Sequence, residues 1–503
     1  MATHNNPLFS AALGILVLCL GVAFRSLRSA AKLRKIMPPG PPGLPFLGNL
    51  FQLPQFQWLR FTEWKAQYGP IISLNLGGQP VVVLNSYQVA SDLLDNRSAI
   101  YSDRPRFIMG SEILTGSMLI AFMTYGDPWK KLRRAAHDGL TRQVSASYTP
   151  IQEREASILV KSMIEQPSLW DQNLRRKASA ASGLLGIVYG LPSLDSTDDP
   201  LITRVDDFIR RLVRATLPGA FLVEILPVMK RLPSWMAKWK KEGLEWHRKD
   251  TILFQGIMND AKDLARSGNL SPCFAGHLIE NPRDLTEKES AWVAATMFGA
   301  GSETVAAALC VFILAMTLYP NVMRTAQAEL DQVVGRDRMP SFSDRANLPY
   351  IEAIVKEVLR WRPVGPLGLP RRSVKDDRYN GYFIPKGTLV LYNVWAIHRD
   401  PEIFPDYDEF RPERYLEQPD LEYVTYGFGR RICMGKDVAN NALFINIASM
   451  LSALDFAAPI DDSGNKILPS RTACVDKGLV VRPVPFECCI TPRQFPVSTS
   501  SKV

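Results

Sequence analysis

The sequence predicts a mainly α-helical fold with small β-sheets, arranged as one large domain behind an N-terminal transmembrane helix. Periodic helical patterns dominate from about residue 46 to residue 487, and no low-complexity break or internal repeat divides them. Short β-like runs are few, namely Ile71–Leu76, Val81–Leu84 and Leu389–Tyr392. With 46% hydrophobic and 22% charged residues over 503 positions, the composition is typical of a globular protein and excludes a disordered or collagen-like one.

The N-terminus has the pattern of a membrane anchor. Residues 1–24 contain no charged side chain, and Leu8–Phe24 is apolar apart from Ser10, which at about 1.5 Å per residue suffices to cross a bilayer. Basic residues follow at once and place the body in the cytosol, namely Arg25, Arg28, Lys32, Arg34 and Lys35. A cleaved signal peptide would need positive charge before the apolar run and a small-residue cleavage site after it. A buried core helix is the other alternative, but its flanks would be unusual.

Four segments follow from this pattern. Residues 1–36 are predicted to be the anchor with its basic stop. Five prolines between Pro38 and Pro45 fix φ and remove backbone donors, so residues 37–45 are predicted to form a stiff hinge. The body is predicted to span residues 46–490, and the polar tail, residues 491–503, is predicted to be flexible.

The net charge of +9 raises the question of an anionic partner, which could be nucleic acid, a membrane or an acidic protein. Residues 25–35 contribute +5 of this charge, so more than half of the excess lies beside the anchor. The charge therefore predicts contact with membrane lipid and no nucleic acid partner. The +4 that remains suits an acidic protein partner.

The longest helical pattern begins at a Thr286/Glu289 capping box and runs to Tyr319, where Pro320 stops it. Its second half is apolar all round, so a second membrane span is one interpretation. Small and polar residues interrupt the pattern in mid-helix, which favours a helix buried in the protein centre; they are Gly299, Gly301, Ser302 and Glu303. A further segment, Leu217–Trp246, mixes aromatic residues with lysines, which suits either a membrane interface or an ordinary amphipathic surface helix.

Cysteine and histidine usage narrows the chemistry. Seven cysteines with no CxxC pair do not form a disulfide framework, and five histidines without paired spacing argue against zinc. Cys433 stands alone in a glycine-rich turn beside two arginines, where positive charge favours the thiolate. Such a thiolate could be a nucleophile or the axial ligand of haem iron. A nucleophile would need a histidine base, and none stands out.

The segment from Tyr426 to Gly435 resembles the haem-binding signature of the cytochrome P450 family, F-x-x-G-x-R-x-C-x-G. In register are Gly429, Arg431, Cys433 and Gly435, whereas Tyr426 replaces Phe and Met434 stands where Pro is common. Because Tyr keeps the aromatic shape, a modest change near the haem edge is expected. The resemblance covers almost the whole chain and implies the cytochrome P450 fold, haem b as cofactor and Cys433 as the thiolate ligand of its iron. Such ligation favours O–O cleavage.

The segment Ala300–Thr304 fits the oxygen-binding element of the same family, [AG]-G-x-[DE]-T. The resemblance implies that Thr304 donates to bound oxygen while Glu303 supplies protons through water. The Thr304 hydroxyl can also bend the helix by bonding a backbone carbonyl. The alternative is a kinked helix with a purely structural role.

Two further motifs carry charged residues. Glu357 and Arg360 share a helix face, a pattern that usually means a surface ion pair; with Arg414 the resemblance implies a buried structural cluster. Trp129 and Arg133 also share a helix face, which alone would indicate a solvated surface. By resemblance the haem propionates are held by four residues, namely Trp129, Arg133, Arg371 and Arg431.

The resemblance implies a monooxygenase that uses O2 and two electrons. Because no strand–GxGxxG–helix unit is present, the electrons are expected from an NADPH-dependent flavoprotein reductase, docked near Arg430 and Lys436. Microsomal members imply a single-pass endoplasmic reticulum protein with its catalytic domain in the cytosol. The predicted walls of the substrate pocket are apolar and include Phe107, Met123, Phe208, Phe298, Ala300, Val364, Leu367 and Leu479.

An apolar small molecule is therefore the expected substrate. The chain is similar to fungal secondary-metabolism members, which favours a terpenoid, with a polyketide or an alkaloid precursor as the alternative. A haem-thiolate isomerase or dehydratase that needs no external O2 is a second class, which the oxygen-binding element argues against. A haem-binding or membrane scaffold without enzymatic activity is a third, and the same element disfavours it.

Overall fold

A computed structural model describes residues 32–174, 182–192, 200–217, 219–476 and 478–493. The predicted transmembrane helix lies outside these ranges. The described part is mainly helical, as predicted. Its α-helices are α1 Gln57–Tyr68, α2 Tyr87–Ser91, α3 Ser98–Tyr101, α4 Asp127–Asp138, α5 Arg142–Ser145, α6 Thr149–Glu165, α7 Trp170–Asn173, α8 Ser182–Tyr189, α9 Pro200–Thr216, α10 Leu222–Ile225, α11 Lys238–Arg266, α12 Phe274–Glu280, α13 Glu287–Leu318, α14 Pro320–Val333, α15 Pro349–Trp361, α16 Val394–Ile397, α17 Arg414–Glu417 and α18 Lys436–Ala453.

The strands are short and form four small sheets among the described residues. They are β1 Ile71–Leu76, β2 Gln79–Leu84, β3 Arg371–Arg372, β4 Asp377–Tyr379, β5 Tyr382–Ile384, β6 Leu389–Tyr392, β7 Leu454–Ala457, β8 Cys474–Asp476, β9 Val481–Pro483 and β10 Cys489–Pro492. All three predicted β-runs are confirmed as β1, β2 and β6.

The described residues separate into two compact units. Unit 1 comprises the described residues up to 105, with 367–397 and 428–430; unit 2 comprises those within 106–366, 398–427 and 431–493. Because each unit combines stretches that are distant in sequence, no change of composition marks the divisions.

Unit 1 contains the four-stranded sheet, ordered β1-β2-β6-β3. Strands β1 and β2 form an antiparallel hairpin that pairs Ile71 with Leu84, and β2 continues into a parallel pairing with β6. The hairpin turn consists of Gly77 and Gly78, both with positive φ, which glycine adopts without strain. The sheet packs against α1 through a cluster of buried side chains, namely Phe61, Trp64, Ile72, Leu74, Val81 and Val83.

Unit 2 is built around α13. The predicted capping box is present, since Thr286 Oγ1 accepts from the Glu289 amide and the Glu289 carboxylate accepts from the Thr286 amide. The helix ends before Pro320, as predicted. It is long and apolar enough to cross a bilayer, but 72% of its most apolar window is buried inside the protein. This burial supports the central-helix interpretation over a second membrane span.

The C-terminal boundary differs from the prediction. Thr491 and Pro492, which the sequence assigns to the flexible tail, belong to β10 and pair with Asp455 and Leu454 of β7. Ile490, which precedes them in β10, is buried. The more polar residues that follow it continue the strand and its pairing with β7. Residues 494–503 lie outside the described part of the chain.

Candidate active site

The loop that leads to Cys433 is closed by its own backbone. The Cys433 amide donates to the carbonyl of Tyr426 at 2.9 Å. Gly435 then forms the N-cap of α18, and its amide donates a hydrogen bond to the Cys433 sulfur. The loop thus presents a single thiol between a closed turn and the start of a helix.

Burial is the largest influence on the Cys433 thiol and raises its pKa, although part of its surface remains accessible. The Gly435 amide and the positive charges of Arg133 and Lys436 lower the pKa, but by less than burial raises it. The expectation that the two arginines of the turn favour the thiolate is therefore wrong for the protein without a bound metal, because burial outweighs the nearby cations. Coordination to a metal ion deprotonates a thiol outright. The site therefore suits a metal-bound thiolate better than an unassisted nucleophile.

Gly429 is required by the backbone of unit 1. Its φ is +52°, and a Cβ at this position would lie 2.1 Å from the carbonyl oxygen of Leu94. Its amide donates to Asp95 Oδ1 at 2.5 Å. Only glycine combines this positive φ with the absence of a Cβ, which explains why the haem signature has glycine at this position.

Three of the predicted propionate ligands lie together in unit 2. The Arg431 guanidinium stacks over the Trp129 ring at 4.0 Å, and that of Arg133 lies 5.4 Å from the same ring. Arg431 donates to the carbonyl of Met123 at 2.7 Å, and Arg133 donates to that of Ile432, also at 2.7 Å. The two arginines thereby bond to the backbone at Met123 and Ile432, and both guanidinium groups lie near the same indole ring.

Arg371, the fourth predicted ligand, is buried in unit 1 at the start of β3. One of its nitrogens, Nη2, donates to the Phe428 carbonyl at 2.6 Å. Nε and Nη1 are buried without a hydrogen-bond partner of normal geometry. Burial lowers the pKa of Arg371, because a cation here lacks the solvation it has in water.

The side chains present fit a haem group. Trp129 Nε1 in unit 2 and two nitrogens of Arg371 in unit 1 are buried donors without acceptors. Such donors are costly unless they are satisfied, and haem propionates are carboxylates that only accept hydrogen bonds. Cys433 of unit 2 adds a thiol, a group that can ligate iron. The donors of each unit therefore match the chemistry of an anionic cofactor such as haem.

The middle of α13 behaves partly as the sequence predicts. Thr304 Oγ1 donates to the Ala300 carbonyl at 3.0 Å, the predicted contact of the hydroxyl with its own helix. Ala300 and Glu303 are exposed within an otherwise buried helix. Gly301 lies close to α8, since a Cβ there would lie 2.9 Å from a methyl group of Leu184. Its small size therefore serves helix packing.

The Glu357 cluster is buried, as expected. Arg360 forms two parallel hydrogen bonds of 2.7 Å to the Glu357 carboxylate, and both side chains are fully enclosed. Arg414 Nε lies 3.2 Å from Glu357 Oε2, and the Arg411 amide donates to Oε1 at 2.8 Å. Arg360 also donates to the backbone carbonyls of His398, Tyr407 and Glu409. This arrangement agrees with a structural role and excludes the usual surface ion pair.

His398 is a residue that the sequence did not single out. It is fully buried, with Nδ1 3.1 Å from the Arg360 carbonyl and Nε2 accepting from the Val424 amide at 2.9 Å. It thereby connects the Glu357 cluster to the segment just before the Cys433 loop. Burial and the nearby charges of Arg360 and Arg399 lower the pKa of His398 well below its usual value. No local pattern reveals these partners.

Acidification is expected to destabilise the protein through His398. Its pKa in the folded state lies below the unfolded value near 6.5, so the unfolded state binds more protons as the pH falls below about 6.5. The free energy of unfolding should fall by about 1.4 kcal/mol per pH unit from this group. Urea unfolding at several pH values measures the slope. His398→Gln should reduce it, exposed His137→Gln should not, and equal slopes in all three proteins would contradict the prediction.

The predicted pocket walls fall into several environments. In unit 2, Phe208 packs edge-on against Phe254 and Trp292, and Phe298 lies 6.2 Å from the ring of Tyr189. Both predicted wall residues are enclosed by protein.

The other predicted walls are more open or lie elsewhere. The amide of Val481 donates to the carbonyl of Val364 at 2.8 Å, which joins the strand after Leu479 to the end of α15. Leu479 and Phe107 are partly buried. Leu367 belongs to unit 1, where it packs on the sheet.

A second residue missed by the sequence, Glu224, fastens one of these walls. Its carboxylate accepts from the amides of Ile108 and Met109 at 3.0 and 2.7 Å, directly after Phe107. Burial raises the pKa of Glu224 and the two amides lower it. The contact spans more than 100 residues, so no local spacing predicts it.

Comparisons with known proteins give a consistent result. The family model described as Cytochrome P450 matches residues 38–490. The chain is 56% identical to Cytochrome P450 monooxygenase 58 of Postia placenta, over 96% of this chain and 94% of that protein. It is 47% identical to a cytochrome P450 monooxygenase of Armillaria gallica, over 95% and 94%. The solved structure of a zebra fish cytochrome P450 with progesterone is similar at a TM-score of 0.71 and 28% identity, covering 87% of this chain and 99% of that one.

Proposed function

The chain belongs to the cytochrome P450 family and is an oxidoreductase of the monooxygenase class, and from this premise we propose that Cys433 ligates the iron of haem b and that the enzyme oxidises an apolar small molecule with O2. The observation that carries the assignment of Cys433 is the single thiol between the closed loop and α18, with Arg133 and Lys436 nearby. One oxygen atom enters the substrate and the other leaves as water, which consumes two electrons and two protons.

The haem would supply O2 activation, because a thiolate ligand favours O–O cleavage. Trp129, Arg133 and Arg431 would hold propionates by charge-assisted hydrogen bonds, and Arg371 would add the donors that its own surroundings leave unused. Gly429 and Gly435 would keep the backbone close to the cofactor. The Glu357 cluster would hold the protein around it without taking part in proton or electron transfer.

Thr304 and Glu303 would deliver the protons. Thr304 Oγ1 already donates to the Ala300 carbonyl and can turn toward a bound ligand, and exposed Glu303 can exchange protons with water. Positioned proton transfer of this kind is worth about 100–10,000-fold in rate. This role also separates the monooxygenase from an isomerase or dehydratase, for which delivery of protons to oxygen is unnecessary.

We expect Thr304→Ala to uncouple electron use from product formation. Without the hydroxyl, protons reach oxygen without control, so peroxide release should rise while product per NADPH falls at least about tenfold, within the range of general acid effects. Product, peroxide and NADPH consumption are measured together. Thr296 makes the same kind of bond on α13, from its hydroxyl to the carbonyl four residues earlier at 2.8 Å, so Thr296→Ala is the matched control. Unchanged coupling in Thr304→Ala would contradict the role of Thr304.

The electrons would come from an NADPH-dependent flavoprotein reductase. Arg430 and Lys436 are exposed at either end of the Cys433 loop and suit an acidic partner. Turnover should require NADPH and the reductase, and should weaken as ionic strength rises. Turnover without reductase would favour the haem-thiolate isomerase or dehydratase.

The protein would be a single-pass endoplasmic reticulum protein with its catalytic part in the cytosol. The anchor is proposed from residues 1–36, followed by the hinge at 37–45. The residues described within Leu217–Trp246, which are all but position 218, support a second contact with lipid, because unit 2 exposes large apolar side chains there. They include Leu222 at 62%, Ile225 at 64%, Val228 at 65% and Trp235 at 82%.

A terpenoid in fungal secondary-metabolite biosynthesis is the proposed substrate, with polyketides or alkaloid precursors as the alternative. The fungal relatives and the apolar character of Phe107, Met123 and Val364 support it. The progesterone of the zebra fish structure is likewise an apolar polycyclic ligand. Co-expression with a reductase, followed by mass spectrometry on terpene extracts, tests the proposal. Oxidation of polyketides alone would favour the alternative.

A further inference from the structure

Tyr426 stands at the first position of the haem signature, where the family has phenylalanine, so this chain has an additional hydroxyl group. That hydroxyl has a defined hydrogen-bond partner. It donates to Asn440 Oδ1 at 2.7 Å. Burial raises the pKa of Tyr426 well above its usual value, so the phenol stays protonated and remains a donor. Phenylalanine could not make this contact.

The position of Tyr426 lets one residue hold two points of the Cys433 loop. Its backbone carbonyl accepts from the Cys433 amide at 2.9 Å, and its side chain reaches Asn440, one turn into α18. Cys433 is itself the first of these attachment points, and Asn440 is the second. The loop and the helix that follows it are therefore both bonded to Tyr426, the loop to its backbone and the helix to its side chain.

Asn440 is half-buried near the start of α18. Asparagine has a poor helix propensity, so the helix itself gives no reason for this residue. The Asn440 side chain also hydrogen-bonds the phenol of Tyr423, whose ring lies 6.2 Å from that of Tyr426. Burial raises the pKa of Tyr423 to about 12, while this hydrogen bond opposes the rise. Two buried phenols thus share one amide.

We propose that Tyr426 and Asn440 form a staple that positions the Cys433 thiolate, a positioning role specific to the tyrosine of this chain. The inference rests on the proposed function, since it concerns how the iron ligand is held. The bond from the Cys433 amide to the Tyr426 carbonyl closes the loop at one point. The staple adds a second constraint through a side chain. Its loss should let the loop depart more readily from the geometry that ligation needs.

The expected effect is the loss of one half-buried hydrogen bond that leaves its acceptor without this donor. Tyr426→Phe removes the donor and strands Asn440 Oδ1, which should speed loss of thiolate ligation roughly threefold to tenfold. Asn440→Leu should have at least as large an effect, because it leaves both the Tyr426 and the Tyr423 phenols without this partner. Tyr426→Phe with Asn440→Leu removes both groups, so its effect should be smaller than the two single effects combined.

The holoenzyme tests the staple by two readouts other than turnover. The first is the rate at which the reduced, carbon-monoxide-bound form loses its far-red-shifted Soret band in mild urea. The second is hydrogen exchange at the Cys433 amide, which should quicken in Tyr426→Phe. Tyr415 is the matched control, because its buried hydroxyl has no hydrogen-bond partner and Tyr415→Phe should change neither readout.

Two outcomes would overturn the staple. One is a Tyr426→Phe protein whose band loss and amide exchange equal those of the wild type; the other is additive effects in the double variant. A wild type without the red-shifted band would instead overturn the proposed function. In that case amide exchange at Cys433 still decides the staple, so the two failures are distinguishable.

Discussion

Cys433→Ser is expected to abolish the far-red-shifted Soret band of the reduced, carbon-monoxide-bound protein and to reduce monooxygenase turnover to background. A serine hydroxyl is not ionised near neutral pH and cannot replace a thiolate as a strong donor to iron. The change is one atom at an accessible side chain, and the Cys433 amide keeps its bond to Tyr426. The free energy of unfolding of the protein without haem should therefore change little.

A second exposed cysteine provides the control. Cys489→Ser alters a side chain in β10 and should leave both the band and turnover intact. Retention of the band in Cys433→Ser, or its absence from the wild type, would contradict the ligand assignment. Absorption spectra of the three proteins, with and without carbon monoxide, decide between these results.

Arg360→Ala is expected to lower the free energy of unfolding by about 3–5 kcal/mol. It removes both parallel hydrogen bonds to Glu357 and leaves a fully buried carboxylate with only the Arg414 side chain and the Arg411 amide. Three backbone carbonyls also lose their donor. Urea unfolding measures the loss, and much of the protein should be recovered without haem.

The matched control for Arg360 is an ion pair of the same spacing at the surface. Arg60 and Glu63 form an i,i+3 pair at 2.8 Å with side chains 46% and 60% exposed. Arg60→Ala should cost less than about 1 kcal/mol, because solvent screens the pair. A similar cost for both variants would show that burial does not set the strength of the Glu357 cluster.

This pair of ion pairs illustrates what spacing in the sequence can predict. Glu357 and Arg360 share a helix face, as do Arg60 and Glu63, so local geometry predicts contact in both cases. Only the resemblance to a known family separated the buried pair from the exposed one before the structure did. The burial of Glu357 and Arg360 depends on segments such as residues 406–409, which are remote in sequence. An i,i+3 pattern cannot predict that such a segment packs there.

Local signals were sufficient for α13, for the strands β1, β2 and β6 and for the glycines of the Cys433 turn. Capping residues, a stopping proline, short runs of β-branched residues and glycines act on their immediate neighbours, so their effects are visible in a linear sequence. The three residues that were missed have distant partners. Glu224, His398 and Asn440 bond to groups 116, 26 and 14 positions away.

From the sequence came the family, the helical class, the central helix and the single thiol, because each depends on residue type and short spacing. The tertiary structure alone decided the direction of the Cys433 pKa, where burial outweighs the cations, and the close approach of Leu184 to Gly301. It also decided that the hydroxyl of Tyr426 has a partner in Asn440. Desolvation and close packing are sums over neighbours from remote parts of the chain, and those neighbours exist only in the folded protein.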